Sequence, residues 1–337
     1  MAIQPLDPIT VEVIQNALVS LIREMKVTII RTAFGPVIWE MQDFSCAMMA
    51  PDGGLVALAE DNPIHIFPTT YSLNAIKEKF GDDIHPGDFF MINDPYVLGG
   101  HMNDTSHLYP VFANGREAFW LSIRVHYADV GGMAAGSITP EATEIYQEGV
   151  CIPPTKVFEA KEPNAAFLDL FFANVRVPEE RRGDFMAVVG ACWTAEKRLL
   201  EILQSHGVER VEQCVEFLRD KAEEQMREAI SKLPNGEYCY ELNMDTDGTQ
   251  PDWVPIRVKV TVEPQDLLFD FSESAPQVPG PMNGAPASAA CPAFIAIKAF
   301  LDPTPRVNAG TSRPLRVITR KGTLFEAQRP APTCGAQ

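Results

Sequence analysis

The segment from Asn93 to Gly132 constrains this chain most, because turn signals and strand-like runs alternate so closely that it must fold back on itself. It reads NDPYVLGGHMNDTSHLYPVFANGREAFWLSIRVHYADVGG. His107 to Phe112 and Glu117 to Val125 form two strand-like runs across Ala113-Asn114-Gly115-Arg116, a hairpin signal. The outgoing strand delivers His126 at its end. Upstream, the buried strand Phe89 to Ile92 stops at Asn93-Asp94-Pro95. Glycines 99 and 100 then let the backbone turn tightly just ahead of His101. Five groups that can bind metal or move protons, His101, Asp104, His107, His126 and Asp129, thus fall within 29 residues of a chain that has six histidines.

The rest of the chain mixes helices with strands. Asp7-Pro8 pairs an N-cap oxygen with proline at the first helical position. Val13, Ala17, Leu21, Met25 and Ile29 repeat at four-residue spacing and define a buried helix face. Phe44 to Ala50 and Leu55 to Ala59 read as a hairpin over Pro51-Asp52-Gly53-Gly54. Thr70 to Phe80 reads as a short helix. Two long helices fill residues 178 to 232, the first closed by Ser205-His206-Gly207, the second ending at Pro234-Asn235-Gly236. Alternating strands follow from Glu237 to Phe271 (Tyr238, Tyr240, Leu242; Ile256, Val258, Val260, Val262), and Ala285 to Leu301 suits a close-packed helix. The expectation is an α+β fold, with antiparallel or mixed sheets and hairpins flanked by helices. Residues 1–177 would carry the site, 178–235 a helical hairpin, and 236–337 an incomplete β-rich region with one helix. The last stretch, Arg313 to Gln337, reads as a strand and loop that ends without an element docked on the core.

Composition removes several function classes. Lys plus Arg is 28 against 45 Asp plus Glu, a net charge of −17, which argues against a nucleic-acid surface. No apolar run is long enough for a membrane span. Met1 to Thr10 lacks the basic and apolar regions of a signal peptide. The seven cysteines make no CxxC and no tight pairs, and they read as buried, reduced thiols of a cytoplasmic protein. The chain has no Gly-Lys dipeptide, hence no GxxxxGK[ST] phosphate loop, and no GxGxxG after a strand.

Two imidazoles and a carboxylate on strand ends suit Mn, Fe or Zn, which would polarise a carbonyl or activate water. His101, Asp104 and His126 are the candidate ligands. Hydrogen-bonded loop histidines are the other reading, and on spacing alone both stay open because HxxD is a weak pattern. Glu40, after Val37-Ile38-Trp39, is a candidate partly buried carboxylate that would complete the site or act as base; a surface acid at a helix end is the alternative. Asp129 either orients His126 or caps a turn. His107 reads as structural, His65 as a core histidine able to approach the site, His85 as a turn residue and His206 as a helix-end residue.

These segments together resemble the hydantoinase B/oxoprolinase family through nearly the whole chain. The resemblance is carried by Asp7-Pro8-Ile9-Thr10, Arg31-Thr32-Ala33, Glu40 with Asp43-Phe44-Ser45-Cys46, and Asn93-Asp94-Pro95-Tyr96 with Gly99-Gly100-His101 and Asp104. It continues through His126 with Ala128-Asp129 and Gly131-Gly132, Gly136-Ser137, and Glu144 to Gly149 with Ile152-Pro153-Pro154. Asp270-Phe271-Ser272, Pro276-Gln277, Gly280-Pro281-Met282-Asn283 and Leu301-Asp302-Pro303 complete it.

The resemblance implies a B-type subunit in a hetero-oligomer with an A-type partner of actin-like ATPase fold, which uses the ATP. One branch opens cyclic amides such as 5-oxoproline and N-methylhydantoin; another carboxylates ketones. It also implies that His101, Asp104 and His126 hold a divalent metal near Glu40. Ring opening of a cyclic amide is the leading expectation, with ketone carboxylation and an inactive scaffold as alternatives. Two departures stand out. Asp61 replaces the first histidine of an Ala-Glu-His-Ile-Pro-Val-His pattern, and family members usually continue well past Pro330-Ala331-Pro332, so the chain reads as a truncated form.

Overall fold

Capping chemistry sets where the first helix begins. In the computed structural model, which describes residues 6–335 apart from 60, 252, 304 and 305, α1 spans Pro8–Thr32 and the Asp7 carboxylate accepts the Thr10 N–H. Its buried residues include Val11, Ile14, Leu18, Leu21, Ile22, Met25 and Ile29. Val13 is exposed and Ala17 half-buried, which corrects the four-residue stripe. A step of four overshoots the helical turn by about 40°, so the stripe winds off the core toward its N-terminal end. A short helix, α2 (Pro36–Trp39), buries only Ile38.

The sheet that carries the site has seven strands, interrupted by helices. In chain order come β1 (Phe44–Met49), β2 (Leu55–Leu58), α3 (Ile66–Phe80), β3 (Phe89–Ile92), α4 (Pro95–Leu98), β4 (Asp104–Ala113) and β5 (Arg116–His126). After them lie β6 (Thr155–Glu159) and β7 (Glu162–Pro163). The spatial order is β2-β1-β5-β4-β3-β6-β7, with every pairing antiparallel. Both sequence-derived hairpins are present, and the second is longer at both ends than its apolar runs. Asn114 and Gly115 take φ of +53° and +77°, as an Asn-Gly hairpin turn requires.

Helix α5 (Ala165–Ala173) leads into the long helices α6 (Pro178–His206) and α7 (Val208–Ile230). Gly207, at φ +84°, joins them. One hydrophobic core runs from Val11 of α1 through Phe44, Tyr109, Leu121 and Tyr127 to Phe185, Leu199 and Val215 of the helices. The opposite face of the sheet packs a smaller cluster, in which Leu73 and Ile76 of α3 meet Phe90, Leu108 and Trp120.

A second sheet holds β8 (Gly236–Met244), β9 (Val254–Val262), β10 (Leu267–Asp270) and, after helices α8 (Pro286–Leu301) and α9 (Ala309–Ser312), β11 (Leu315–Ile318). Its order is β11-β10-β9-β8, parallel only between β10 and β11. The whole is therefore α+β, with one antiparallel and one mixed sheet. Strand β8 lies at the edge and is exposed along nearly its whole length, so Cys239 is exposed, contrary to the expectation of buried thiols. Cys151 is half-buried, the other five are buried, and none of the seven is in a disulfide among the described residues.

The final segment also departs from expectation, because it is docked. The Glu148 carboxylate accepts the Thr333 and Cys334 N–H groups at 2.8 and 2.9 Å. Ile145 N–H donates to Pro330 O, Asn283 Nδ2 to Pro332 O and Tyr96 O–H to Ala331 O. Met1 to Pro5, Glu60, Ala336 and Gln337, which figure in the sequence readings, lie outside the described residues. Among the described residues no helix is long and apolar enough to cross a membrane.

Candidate metal centre

Strand register assembles the site. Asp104 opens β4 and pairs directly with His126 at the end of β5. Side chains alternate along a strand, so His126 and Arg124 share one face, and Asp104 and Ser106 face them from β4. His101 arrives on the loop after α4, where Gly99 and Gly100 both take positive φ, +69° and +74°. A side chain at Gly99 would also collide with Ser288 at the start of α8, so the loop needs glycine on two counts.

The three ligand atoms meet almost in contact. His101 Nε2 lies 2.9 Å from His126 Nδ1 and 3.3 Å from Asp104 Oδ1, and His126 Nδ1 lies 3.2 Å from that same oxygen. Donors held about 2.1 Å from one cation stand roughly 3.0–3.4 Å apart, so the set fits a first-row divalent metal. The imidazole rings stand at 89° to each other, aiming two nitrogens at one point from different directions. Among the described residues this is the group of three metal-binding side chains whose ligand atoms cluster this way.

The electrostatics keep Asp104 charged. Its side chain is 3% exposed, and burial alone would favour the neutral acid. The Arg124 guanidinium, with the imidazoles of His101, His126 and His65 close by, outweighs burial and holds the carboxyl well below the usual range. The two oxygens divide the work: Oδ1 faces His101 and His126, while Oδ2 faces Arg124 at 3.2 Å and His65 Nε2 at 3.6 Å.

Two site neighbours were not picked out from sequence. Asp43 Oδ2 lies 3.8 Å from His126 Nδ1, and the Asp43 carbonyl accepts the His126 N–H at 3.0 Å. Asn62 Nδ2 steadies the other oxygen of Asp43 at 3.2 Å. The signal for Asp43 was its place in Asp43-Phe44-Ser45-Cys46, at the mouth of a strand. His65, buried, joins through Ser45, whose hydroxyl lies 2.9 Å from His65 Nδ1. Arg124 had no signal beyond alternation with His126.

The two proposed catalytic acids sit differently from expectation. Glu40 caps the C-terminus of α2 and is exposed rather than partly buried. The α2 turn places it on the solvent side, and it lies outside the ligand cluster. Asp129 is buried but spends both oxygens on backbone N–H groups of Gly131, Gly136 and Arg176 and on the Arg176 guanidinium at 3.0 Å. Despite burial, those donors hold its carboxyl below the ordinary range. It caps a turn and does not orient His126. His107 is a core residue, its Nε2 3.1 Å from the Tyr127 hydroxyl. His85 is exposed and His206 ends α6.

Comparison with known proteins bears on the family and the fold. The family model described as hydantoinase B/oxoprolinase matches residues 7–337. The beta subunit of the caprolactamase of Pseudomonas jessenii is 32% identical over 327 residues, covering 97% of this chain and 56% of that protein. The B-type subunit of a D-/L-hydantoinase, so named provisionally, from a Pseudomonas species is 30% identical, covering 98% of this chain and 59% of the relative. The crystal structure of the ATP-dependent caprolactamase from Pseudomonas jessenii superposes with a TM-score of 0.91 at 30% identity, over 98% of this chain and 57% of that one. A nucleotide-free acetone carboxylase structure shares the fold, with a TM-score of 0.88 at 16% identity, over 98% of this chain and 46% of that one. The chain thus spans a little over half the length of these caprolactamase and hydantoinase relatives, and with its family model matched almost end to end it belongs to the hydantoinase B/oxoprolinase family.

Proposed function

We propose that this chain is the beta-type part of an ATP-dependent cyclic-amide hydrolase, and that His101, Asp104 and His126 hold a divalent metal at its reaction centre. The observation that supports it is the convergence of two imidazole nitrogens and one carboxylate oxygen within 3.3 Å of one another. A bound Mn, Zn or Fe ion supplies Lewis acidity toward a carbonyl or a water molecule.

The chain's own residues define how a substrate meets the centre. His101 and Asp104 are each 3% exposed and His126 is 14% exposed, so the approach is from the His126 side. Asp43, on that side, is the carboxylate placed to assist next to His126. Arg124 and His65 take the far oxygen of Asp104 and leave Oδ1 facing the approach. An amide carbonyl is a poor electrophile. Phosphorylating its oxygen makes a leaving group. Since this sequence shows no phosphate-loop motif, we assign that ATP-consuming step to a partner ATPase.

The test is coupled turnover with the partner ATPase. A His126→Ala protein should lose ATP-dependent ring opening of a lactam or hydantoin while the partner's ATP hydrolysis survives. Ring opening at the wild-type rate would overturn the assignment. Bicarbonate incorporated into a ketone, in place of ring opening, would move the chain to the carboxylase branch.

A further inference from the structure

We propose that Arg124 is the positioning residue of the metal centre, fixing Asp104 as a one-oxygen ligand and locking the loop that carries His101. This rests on the metal reading above. Arg124 stands two residues before His126 on β5, directly opposite Ser106 of β4. Its Nη2 donates to Asp104 Oδ2 at 3.2 Å and to Gly99 O at 3.3 Å. One guanidinium nitrogen therefore ties together the three segments that supply ligands: it is rooted on the strand of His126, bonded to Asp104, and bonded to the glycine loop just ahead of His101.

Stability does not explain it. Arg124 is 3% exposed, and among the described residues its Nε and Nη1 have no hydrogen-bond partner, nor do the neighbouring Ser106 and Ser122 hydroxyls. A buried guanidinium with unmet N–H groups is expensive, and replacing a buried ion pair by apolar side chains is often neutral or stabilising. Such a group makes sense where geometry has to be held. With Oδ2 engaged by Arg124, only Oδ1 faces the imidazoles. Without the arginine, the carboxylate is free to turn both oxygens onto His101 and His126, closing the centre on itself with the very atoms a metal needs.

The sign of the charge does not reverse this. Arg124 and Asp104 form a close ion pair of no net charge, so an incoming cation meets little uncompensated repulsion from the guanidinium. Loss of geometry then dominates, and outer-shell partners of this kind are worth about 10–100-fold in metal affinity.

Cobalt(II) binding to the metal-free full chain tests it, read by visible absorption and by competition with a chelator. Arg124→Gln should weaken cobalt binding about 10–100-fold and change the cobalt spectrum, since the Asp104 binding mode is no longer fixed. Arg124→Lys, which keeps the charge on a shorter side chain whose nitrogen falls short of Asp104 Oδ2 and Gly99 O, should fall between Gln and wild type. Ser122→Ala should match wild type. Arg124→Gln with wild-type affinity and spectrum would overturn the role of Arg124 and leave the metal centre standing; a wild type that binds no cobalt, zinc or manganese would overturn the centre itself. If the glutamine variant does not fold, Arg124→Lys decides, and a wild-type spectrum and affinity there overturns the proposal.

Discussion

His126 Nδ1 lies 3.2 Å from Asp104 Oδ1 because the two residues are direct partners in the β4–β5 ladder. A slip of one residue would turn one of them to the opposite face of the sheet. The reach of the pair is thus set by register, which the hairpin turn at Asn114-Gly115 and the one-residue shift between Val111 and Phe112 fix together.

Metal content follows from that geometry. After loading and dialysis, the wild type should keep about one Mn, Zn or Fe per chain by elemental mass spectrometry. His101→Ala removes a direct donor, and Asp104→Asn replaces a charged carboxylate donor by a weak neutral amide oxygen. Their loss of affinity should exceed the ~10–100-fold typical of outer-shell changes. Full metal content in both variants would show that the ion, if bound, sits elsewhere.

Asp129 should behave as a structural acid. It accepts from three backbone N–H groups and Arg176, and bonds to a charged acceptor contribute roughly 1.5–3 kcal/mol. Asp129→Asn should lower unfolding free energy by about 2 kcal/mol in urea titration, with metal content unchanged. Loss of metal at unchanged stability would restore it to the site.

What could be read from sequence, and what could not, divides by the range of the interactions. The α1 cap, the hairpins and the two long helices rest on neighbours within a few residues, and the tight Gly99-Gly100 turn pointed to His101 for the same reason. Asp43 and Arg124 face the site only through pairing of β1, β4 and β5, which no local pattern encodes. Asp129 looked like a companion of His126 because it is three residues away, yet its decisive partner is Arg176, 47 residues on. Glu40 follows an apolar triplet, but only Ile38 of that triplet points inward.

His107 makes the fold acid-sensitive. Burial lowers its pKa to about 4 from the ordinary 6.5. Above pH 6.5 the ring is neutral in both folded and unfolded chains, and the stability it permits is fully present. As pH falls from 6.5 toward 4, the unfolded chain takes up the proton and the folded one does not. Stability should therefore drop by up to about 3 kcal/mol over that window. His107→Gln should be less stable at neutral pH but lose this part of the slope, measured by urea titration at several pH values. An unchanged slope would assign the acid sensitivity to other groups.

Glu148 should decide whether the final segment stays docked. Burial pushes its carboxyl above the ordinary value even though Cys334 and Thr333 N–H groups bond to it. The amide of Glu148→Gln resembles the neutral acid and keeps one carbonyl oxygen for both N–H donors, so that variant should hold residues 330–335 in place. Glu148→Ala leaves both N–H groups buried without an acceptor, at about 1–3 kcal/mol each. The other bonds of the segment, to Ile145, Asn283, Tyr96, Pro281 and Thr139, then have to offset that cost. Digestion with carboxypeptidase, followed by mass spectrometry, should trim the alanine variant back toward Arg329 and leave wild type and the glutamine variant resistant. Equal resistance in all three would mean that the remaining bonds hold the segment without Glu148.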